Sequence, residues 1–159
     1  MDKTQLMSLV TQNLIHECFT HEFYGTFDVT EIRKAAARGV FGRPWTSALY
    51  PDRPDLIEFI KSSRDVDPMR VLHFVQNQDQ IGHPAIAILC PPNERSEEET
   101  DLIIDGTHRI LARWSLKLPA FDLYRIPLAR AIRPRPNFTT LDALDWGEPG
   151  FLEKRGIKY

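Results

Sequence analysis

Five consecutive residues combine groups that could bind a phosphate and act on it: Asp105, Gly106, Thr107, His108 and Arg109. We expect a helix to begin here, because Gly106 permits a tight turn and the hydroxyl of Thr107 can cap the first helical turn. The start of a helix attracts anions, since its first N–H groups lack intrahelical partners and its dipole is positive there. The sequence therefore predicts a phosphate site at this turn.

Each charged or polar side chain of this turn has an expected role in phosphate chemistry. Arg109 and Arg113 are four residues apart on one helical face, so that they could hold a phosphate chain together. His108 could donate or shuttle a proton. Asp105, at the end of a strand, is the expected general base or magnesium partner. The alternative interpretation is a capped helix with an ordinary polar face.

The segments on either side of the turn predict a strand, a helix and a second strand. Residues 102–104 are short and apolar, as in a strand that leads into the turn. The helix that follows carries four apolar residues on one face: Ile110, Leu111, Trp114 and Leu118. Pro119 is expected to end this helix, and residues 121–126 form the returning strand.

The rest of the chain predicts a mixture of short helices and strands. Helices are expected over residues 3–14, from the capping pair Asp28 and Glu31 to Gly39, and from Asp55 to residue 63. Residues 23–29, 70–75 and 85–90 are expected to be strands, while residues 43–45 and 50–54 are expected to be loops. The predicted fold class is α/β (or α+β), a small mixed sheet flanked by helices.

Length and composition favour one globular domain. The chain has 159 residues, of which 42% are hydrophobic and 26% charged, and we assign them to a single domain with a Pro/Arg-rich C-terminal extension from about residue 127. Two cysteines are too few for a disulfide scaffold, which favours a reducing, cytoplasmic location. No apolar run is long enough for a membrane span, and the N-terminus lacks the form of a signal peptide.

Charge is distributed unevenly along the chain, although the net charge is only −2. Residues 94–105 have a net charge of −5, and residues 109–135 have one of +6. We call the seven cations of residues 109–135 the basic stripe: Arg109, Arg113, Lys117, Arg125, Arg130, Arg133 and Arg135. Such a stripe can follow the phosphates of a nucleic acid. The alternative is that the acidic and basic segments are separate solvated faces.

The sequence IDGTHRILA resembles the nucleotide-binding box of the ParB/sulfiredoxin-like superfamily. Gly106, Arg109 and Ala112 match the G-x-x-R-x-x-A pattern of ParB proteins, and residues 106–109 match the Gly-x-His-Arg core of sulfiredoxins. The longer DG-x-HR form of small ParB-like proteins is matched by residues 105–109. The resemblance extends over about residues 85–127, from one predicted strand to another.

This resemblance implies that Gly106, Thr107, His108 and Arg109 bind the phosphates of ATP, ADP or CTP, with Mg²⁺ as a companion ion. Members of the superfamily hydrolyse nucleotides or transfer phosphoryl groups. Thr107 occupies the place of the sulfiredoxin catalytic cysteine, so we do not expect repair of sulfinic acids. Beyond Ile126 the chain lacks the second arginine motif and helix-turn-helix of ParB proteins, and we do not expect it to clamp DNA.

Two functions of different classes follow from these observations. The first is a nucleotide-dependent phosphotransferase or nucleotide hydrolase that acts on a small-molecule substrate through the turn at residues 105–109. The second is a non-catalytic module that binds nucleic acid or an acidic protein through the basic stripe. A ParB-like nuclease that uses the same stripe is a further alternative, but it needs a carboxylate cluster for its metal that we do not find around the box.

Other chemically active residues have simpler interpretations. His16, Cys18 and His21 could ligate a metal, but their spacing is not that of a metalloprotease motif. We therefore assign no metal ligands. Cys90 and His73 are expected to be packed strand residues, and His83 is expected to lie in a turn.

Overall fold

The computed structural model of the chain describes residues 16–94 and 97–134. Its elements are short helices and strands, so the expected mixed α and β composition is confirmed. The helix expected over residues 3–14 lies outside the described residues. The longest described helix has ten residues, about half of what a membrane span requires, so no helix in these two ranges could cross a bilayer.

The chain divides into two compact units, one formed by residues 1–38 with 131–159 and the other by residues 39–130. The assignment of a single domain stays a prediction. In the described part of the first unit, strands β1 (Cys18–His21) and β2 (Gly25–Asp28) pair as an antiparallel hairpin. Helix α1 (Val29–Ala37) follows β2 directly, and its buried face includes Ile32 and Ala35.

The start of α1 confirms half of the expected capping box. The carboxylate of Asp28 accepts a hydrogen bond from the Glu31 N–H at 3.0 Å, as a helix N-cap should. The carboxylate of Glu31 does not return the bond, because the Asp28 N–H already donates to the Ile132 carbonyl and Glu31 pairs with Lys34. Gly39, with φ of +81°, ends the helical segment as expected.

The second unit is built on a four-stranded sheet in the order β3-β6-β4-β5. The strands are β3 (Trp45–Ala48), β4 (Ala85–Cys90), β5 (Thr100–Asp105) and β6 (Ala120–Pro127). β4 and β6 are parallel, and the other two pairs are antiparallel. Five of the six residues of β4 are buried, which confirms the expectation that this apolar strand is covered on both faces.

Three helices accompany this sheet: α2 (Pro54–Ser63), α3 (Pro68–Gln76) and α4 (Thr107–Ser115). Their apolar residues meet one face of the sheet in a buried cluster that includes Ile57, Ile60, Ile110 and Leu111. α4 ends earlier than expected, because Lys117 adopts φ of +57° and turns the chain before Pro119. Leu118 therefore lies beyond the helix.

Two sequence predictions in this unit are wrong. Residues 70–75, expected to be a strand, lie inside α3, and His73 is an exposed helical residue rather than a packed strand residue. Trp45, expected to lie in the loop over residues 43–45, is the first residue of the edge strand β3. In the first case the apolar residues Val71, Phe74 and Val75 have helical spacing, and Asp67 followed by Pro68 is a helix start signal.

Candidate functional site

Gly106 connects the end of β5 to the start of α4 in a backbone conformation that suits glycine. Its φ is +99°, in the left-handed region, and it occupies the N-cap position of the helix. A Cβ at this position would lie 2.9 Å from the Cβ of Ala85 on β4. Glycine is therefore required both by the turn and by the close approach of α4 to the sheet.

The expected cap by Thr107 is wrong. Thr107 is the first residue of α4, and no side chain caps the helix because glycine holds the N-cap position. An α-helix leaves the N–H groups of its first turn without intrahelical acceptors. The backbone at Thr107 and His108 thus keeps the donors on which the prediction of an anion site depends.

Asp105 and Arg109 face each other across this turn. Asp105 Oδ2 lies 3.6 Å from Arg109 Nη2, and the two side chains are only 9% and 15% exposed. The same Nη2 donates to the carbonyl of Pro84, just before β4, at 3.2 Å. The guanidinium therefore links the end of one strand to the beginning of its neighbour, and the carboxylate lies within ion-pair distance of it.

Arg113, the second arginine of the predicted phosphate clamp, binds protein carbonyls. Its Nε donates to Ile81 at 3.2 Å, and its Nη1 donates to Ala120 at 3.0 Å. These bonds connect α4 to the segment before β4 and to the first residue of β6. A phosphate-binding role for Arg113 stays a prediction, and its observed partners are structural.

His108 contacts a segment that the sequence did not associate with the site. Its Nε2 accepts a hydrogen bond from the backbone N–H of Asp67 at 3.1 Å. Burial lowers the pKa of His108 below its ordinary value of 6.5, and the nearby Arg70 adds to this effect. A neutral imidazole that accepts at Nε2 carries its proton on Nδ1, so Nδ1 is the hydrogen-bond donor of this side chain.

The bond between Asp67 and His108 brings together the starts of two helices. Asp67 is the N-cap of α3, and His108 is the second residue of α4. Each helix start carries the positive end of its dipole. Two arginines lie in the same region: Arg70 acts on the imidazole through its charge, and Arg64 donates from Nη2 to the Ile103 carbonyl of β5 at 2.9 Å.

Sequence reasoning missed this second half of the site, which consists of Arg64, Asp67 and Arg70. The signal that could have found it is Asp67-Pro68, since aspartate at the N-cap followed by proline at the first helical position is typical of a helix start. Because residues 70–75 were interpreted as a strand, this helix start was not recognised. The contact with His108 spans 41 residues and could not be inferred from local patterns.

Most arginines of the basic stripe form hydrogen bonds or ion pairs with other groups of the protein. Arg125 pairs with Asp101 of the acidic segment at 2.7 Å, and Arg130 donates to the Val40 carbonyl at 3.0 Å. Arg133 is exposed as expected, but it donates to the Thr26 carbonyl at 3.1 Å and lies over the Phe27 ring. Arg135 lies outside the described residues. Binding of nucleic acid or an acidic protein stays a prediction.

The remaining candidate residues have local structural roles. His16 is buried with its Nδ1 at 2.7 Å from Asp28 Oδ2, and His21 accepts the Phe23 N–H at 3.1 Å in the hairpin turn. Cys90 is fully buried in β4, as expected. Over residues 16–94 and 97–134, no three His, Cys, Asp or Glu side chains are grouped to hold a metal ion.

Comparison of the chain with protein-family models, with curated proteins and with solved structures gave no match in any of the three. The similarity of residues 105–109 to the ParB/sulfiredoxin-like box therefore stays a prediction from the sequence. The geometry of the two helix starts supplies the physical basis for the function proposed below.

Proposed function

We propose that the protein binds a nucleoside di- or triphosphate where the starts of α3 and α4 meet, and that it transfers or hydrolyses the terminal phosphoryl group. The observation that carries this proposal is the hydrogen bond from the Asp67 N–H to His108 Nε2, at 3.1 Å. It holds two positive helix ends side by side. Helix starts bind phosphate through their N–H groups and dipoles, and two of them act on the same anion.

The charged groups around His108 support an anionic ligand. Arg70 and Arg109 both act to lower the pKa of this histidine, whereas Asp65 and Asp67 act to raise it. Arg70 is an exposed residue on the first turn of α3, so its guanidinium can reach a ligand in solvent. We assign to Arg70 the phosphate contact that the sequence alone assigned to Arg113, because Arg113 already binds two carbonyls.

His108 and the backbone of α4 supply neutral donors in this proposal. The Nδ1–H of His108 and the N–H groups of the first turn donate to phosphate oxygens. Asp105 is enclosed with Arg109, so its first role is to orient that guanidinium. Phosphoryl transfer depends mainly on positioning and on neutralising charge, which such a set of donors can provide.

The proposal includes Mg²⁺ as a companion ion of the nucleotide and a cytoplasmic location for the protein. Proteins commonly hold Mg²⁺ through one or two carboxylates together with the phosphates of the substrate, so the ion is included in the test below. The chain has only two cysteines, too few for a disulfide scaffold, which supports a cytoplasmic location. The acceptor substrate is expected to be a small molecule.

Titration calorimetry with ADP, ATP and CTP, each with and without Mg²⁺, tests the binding step. We expect Arg70→Gln to weaken nucleotide binding by about 1.5–3 kcal/mol, which is the usual range for a hydrogen bond to a charged group. Arg43→Gln is the matched control, because Arg43 is also exposed but lies outside this site. Its affinity should equal that of the wild type.

Release of inorganic phosphate or transfer of labelled phosphate, measured on the same samples, tests the chemical step. Equal affinities for wild type and Arg70→Gln would contradict the site. Absence of heat with every nucleotide would contradict nucleotide binding itself. Binding without phosphate release or transfer would reduce the function to nucleotide binding alone.

A further inference from the structure

Asp67 is the residue on which the start of α3 depends, and it is also the residue that contacts His108. Its carboxylate caps the helix by accepting the Met69 N–H at 3.0 Å. Its carbonyl accepts the N–H groups of Arg70 and Val71 at 3.1 and 3.2 Å. The bond from its own N–H to the imidazole therefore ties the first turn of α3 directly to α4.

α3 packs beside α4, but this packing buries none of its residues fully. None of the nine residues of α3 is buried, and Met69 and Leu72 are 69% and 43% exposed. Val71 is partly buried and packs against the core cluster of the second unit. Segments with little buried apolar surface open locally at low free-energy cost. The hydrogen bond at the base of α3 therefore acts together with this packing to keep its first turn beside α4.

The charge state of His108 decides whether this hydrogen bond exists. The bond needs a lone pair on Nε2, which a protonated imidazole lacks. Burial is the largest cause of the lowered pKa of His108, with Arg70 of α3 and Arg109 of α4 acting in the same direction. Asp67 and Asp65, in the segment before α3, oppose them. At neutral pH the imidazole is therefore neutral and the acceptor is available.

We propose that the hydrogen bond between the Asp67 N–H and His108 Nε2 is a proton-operated latch on α3. When a proton from solvent adds to Nε2, the acceptor becomes a donor and two N–H groups face each other. The new positive charge also lies beside Arg70 and at the positive ends of two helices, where it is repelled. The first turn of α3 then separates from α4, and the backbone of residues 67–70 becomes accessible to solvent.

Amide hydrogen exchange of the ligand-free protein between pH 8 and pH 5, corrected for the intrinsic pH dependence of exchange, tests this latch. We expect the protection of the α3 amides to fall roughly two- to tenfold in the wild type, the factor that corresponds to one lost hydrogen bond. His108→Gln keeps an oxygen acceptor but does not titrate in this range. In that variant α3 protection should not change with pH.

His73→Gln is the control, since His73 is the other histidine near these amides and lies on α3 itself. This variant should keep the pH dependence of the wild type. A second measurement uses the wild type alone. The pH midpoint of the loss in protection must equal the pH midpoint of the His108 ring titration followed by NMR. Constant protection across the titration of the His108 ring, or midpoints that differ, would overturn the latch. The outcome is independent of whether any nucleotide binds.

Discussion

The residues of the turn at 105–109 combine candidate chemistry with structural roles. Gly106 permits the left-handed turn and the approach to Ala85, while Asp105 and Arg109 join β5 to the segment before β4. Substitution of any of these three residues will therefore change the stability of the protein as well as ligand binding. Measurements on this turn need a stability readout beside every functional one.

Gly106→Ala should destabilise the protein by about 2–5 kcal/mol. Placing an L residue in the left-handed region costs about 1–2 kcal/mol, and forcing a methyl group into a packed site adds about 1–3 kcal/mol. The methyl would lie 2.9 Å from Ala85 Cβ and 3.0 Å from its Cα, which the backbone of β4 cannot easily relieve. Urea unfolding followed by circular dichroism gives the change.

Two other glycines separate these contributions. Gly39 has φ of +81° and no atom within 4 Å of the position that a Cβ would take, so Gly39→Ala should show the conformational cost alone. Gly82 has an ordinary φ and the same open surroundings, so Gly82→Ala should change stability by less than about 0.5 kcal/mol. If Gly106→Ala costs no more than Gly39→Ala, the close approach of α4 to β4 is not as described.

At the level of elements, the sequence predicted those whose signals are local. The strand over residues 85–90 has a continuous apolar run and is central in the sheet. The start of α1 at Asp28 and the start of α4 after Gly106 follow from a capping residue and a turn glycine. In each of these cases the sequence pattern and the tertiary environment favour the same structure.

β3 and α3 were missed for different reasons. β3 is an edge strand of four residues whose pairing with β6 spans 78 positions at Trp45 and Leu123, and no local signal predicts such a pairing. α3 contains β-branched and aromatic residues that favour a strand, but Asp67 and Pro68 start a helix there. The capping signal is more informative than the propensity of the residues that follow it.

Asp67→Ala should destabilise α3 by about 0.5–2 kcal/mol, the usual cost of removing an N-cap side chain. The backbone N–H that reaches His108 remains, so the variant separates the cap from the contact. Amide exchange of residues 69–76 should show the effect, and Asp65→Ala is the control because Asp65 is exposed and lies outside the helix. Equal exchange in the two variants would mean that the carboxylate of Asp67 does not cap α3.

At the level of the whole molecule, the candidate site is assembled from two segments about 40 residues apart. The sequence predicted the half at residues 105–109, because glycine, histidine and arginine next to a strand end form a local pattern. The half at residues 64–70 depends on how α3 packs beside α4, which only the tertiary structure specifies. The described arginines of the basic stripe bind carbonyls and carboxylates of the protein, and binding of a partner through the stripe stays a prediction.

His108 should make the stability of the protein depend on pH. The unfolded chain takes up a proton on this residue near pH 6.5, whereas the folded protein does so only at lower pH. Between these values the unfolded state binds more protons, so the free energy of unfolding decreases as the pH falls from about 7 and levels off below the folded pKa. Urea unfolding at pH 7.5 and at pH 5 gives this decrease in the free energy of unfolding, which should be smaller for His108→Gln than for the wild type. An equal decrease in the two proteins would contradict the lowered pKa of His108.

The central claim is that a nucleotide phosphate binds where the starts of α3 and α4 meet. Nuclear magnetic resonance of the ¹⁵N-labelled protein during titration with ADP and Mg²⁺ tests it most directly, because each backbone N–H reports its own surroundings. We predict that the largest shifts fall on residues 106–109 and on the N–H groups of Asp67, Met69 and Arg70, on both sides of the hydrogen bond between Asp67 and His108. Shifts confined to other residues, or no shifts at a nucleotide concentration far above that of the protein, would contradict binding at this site.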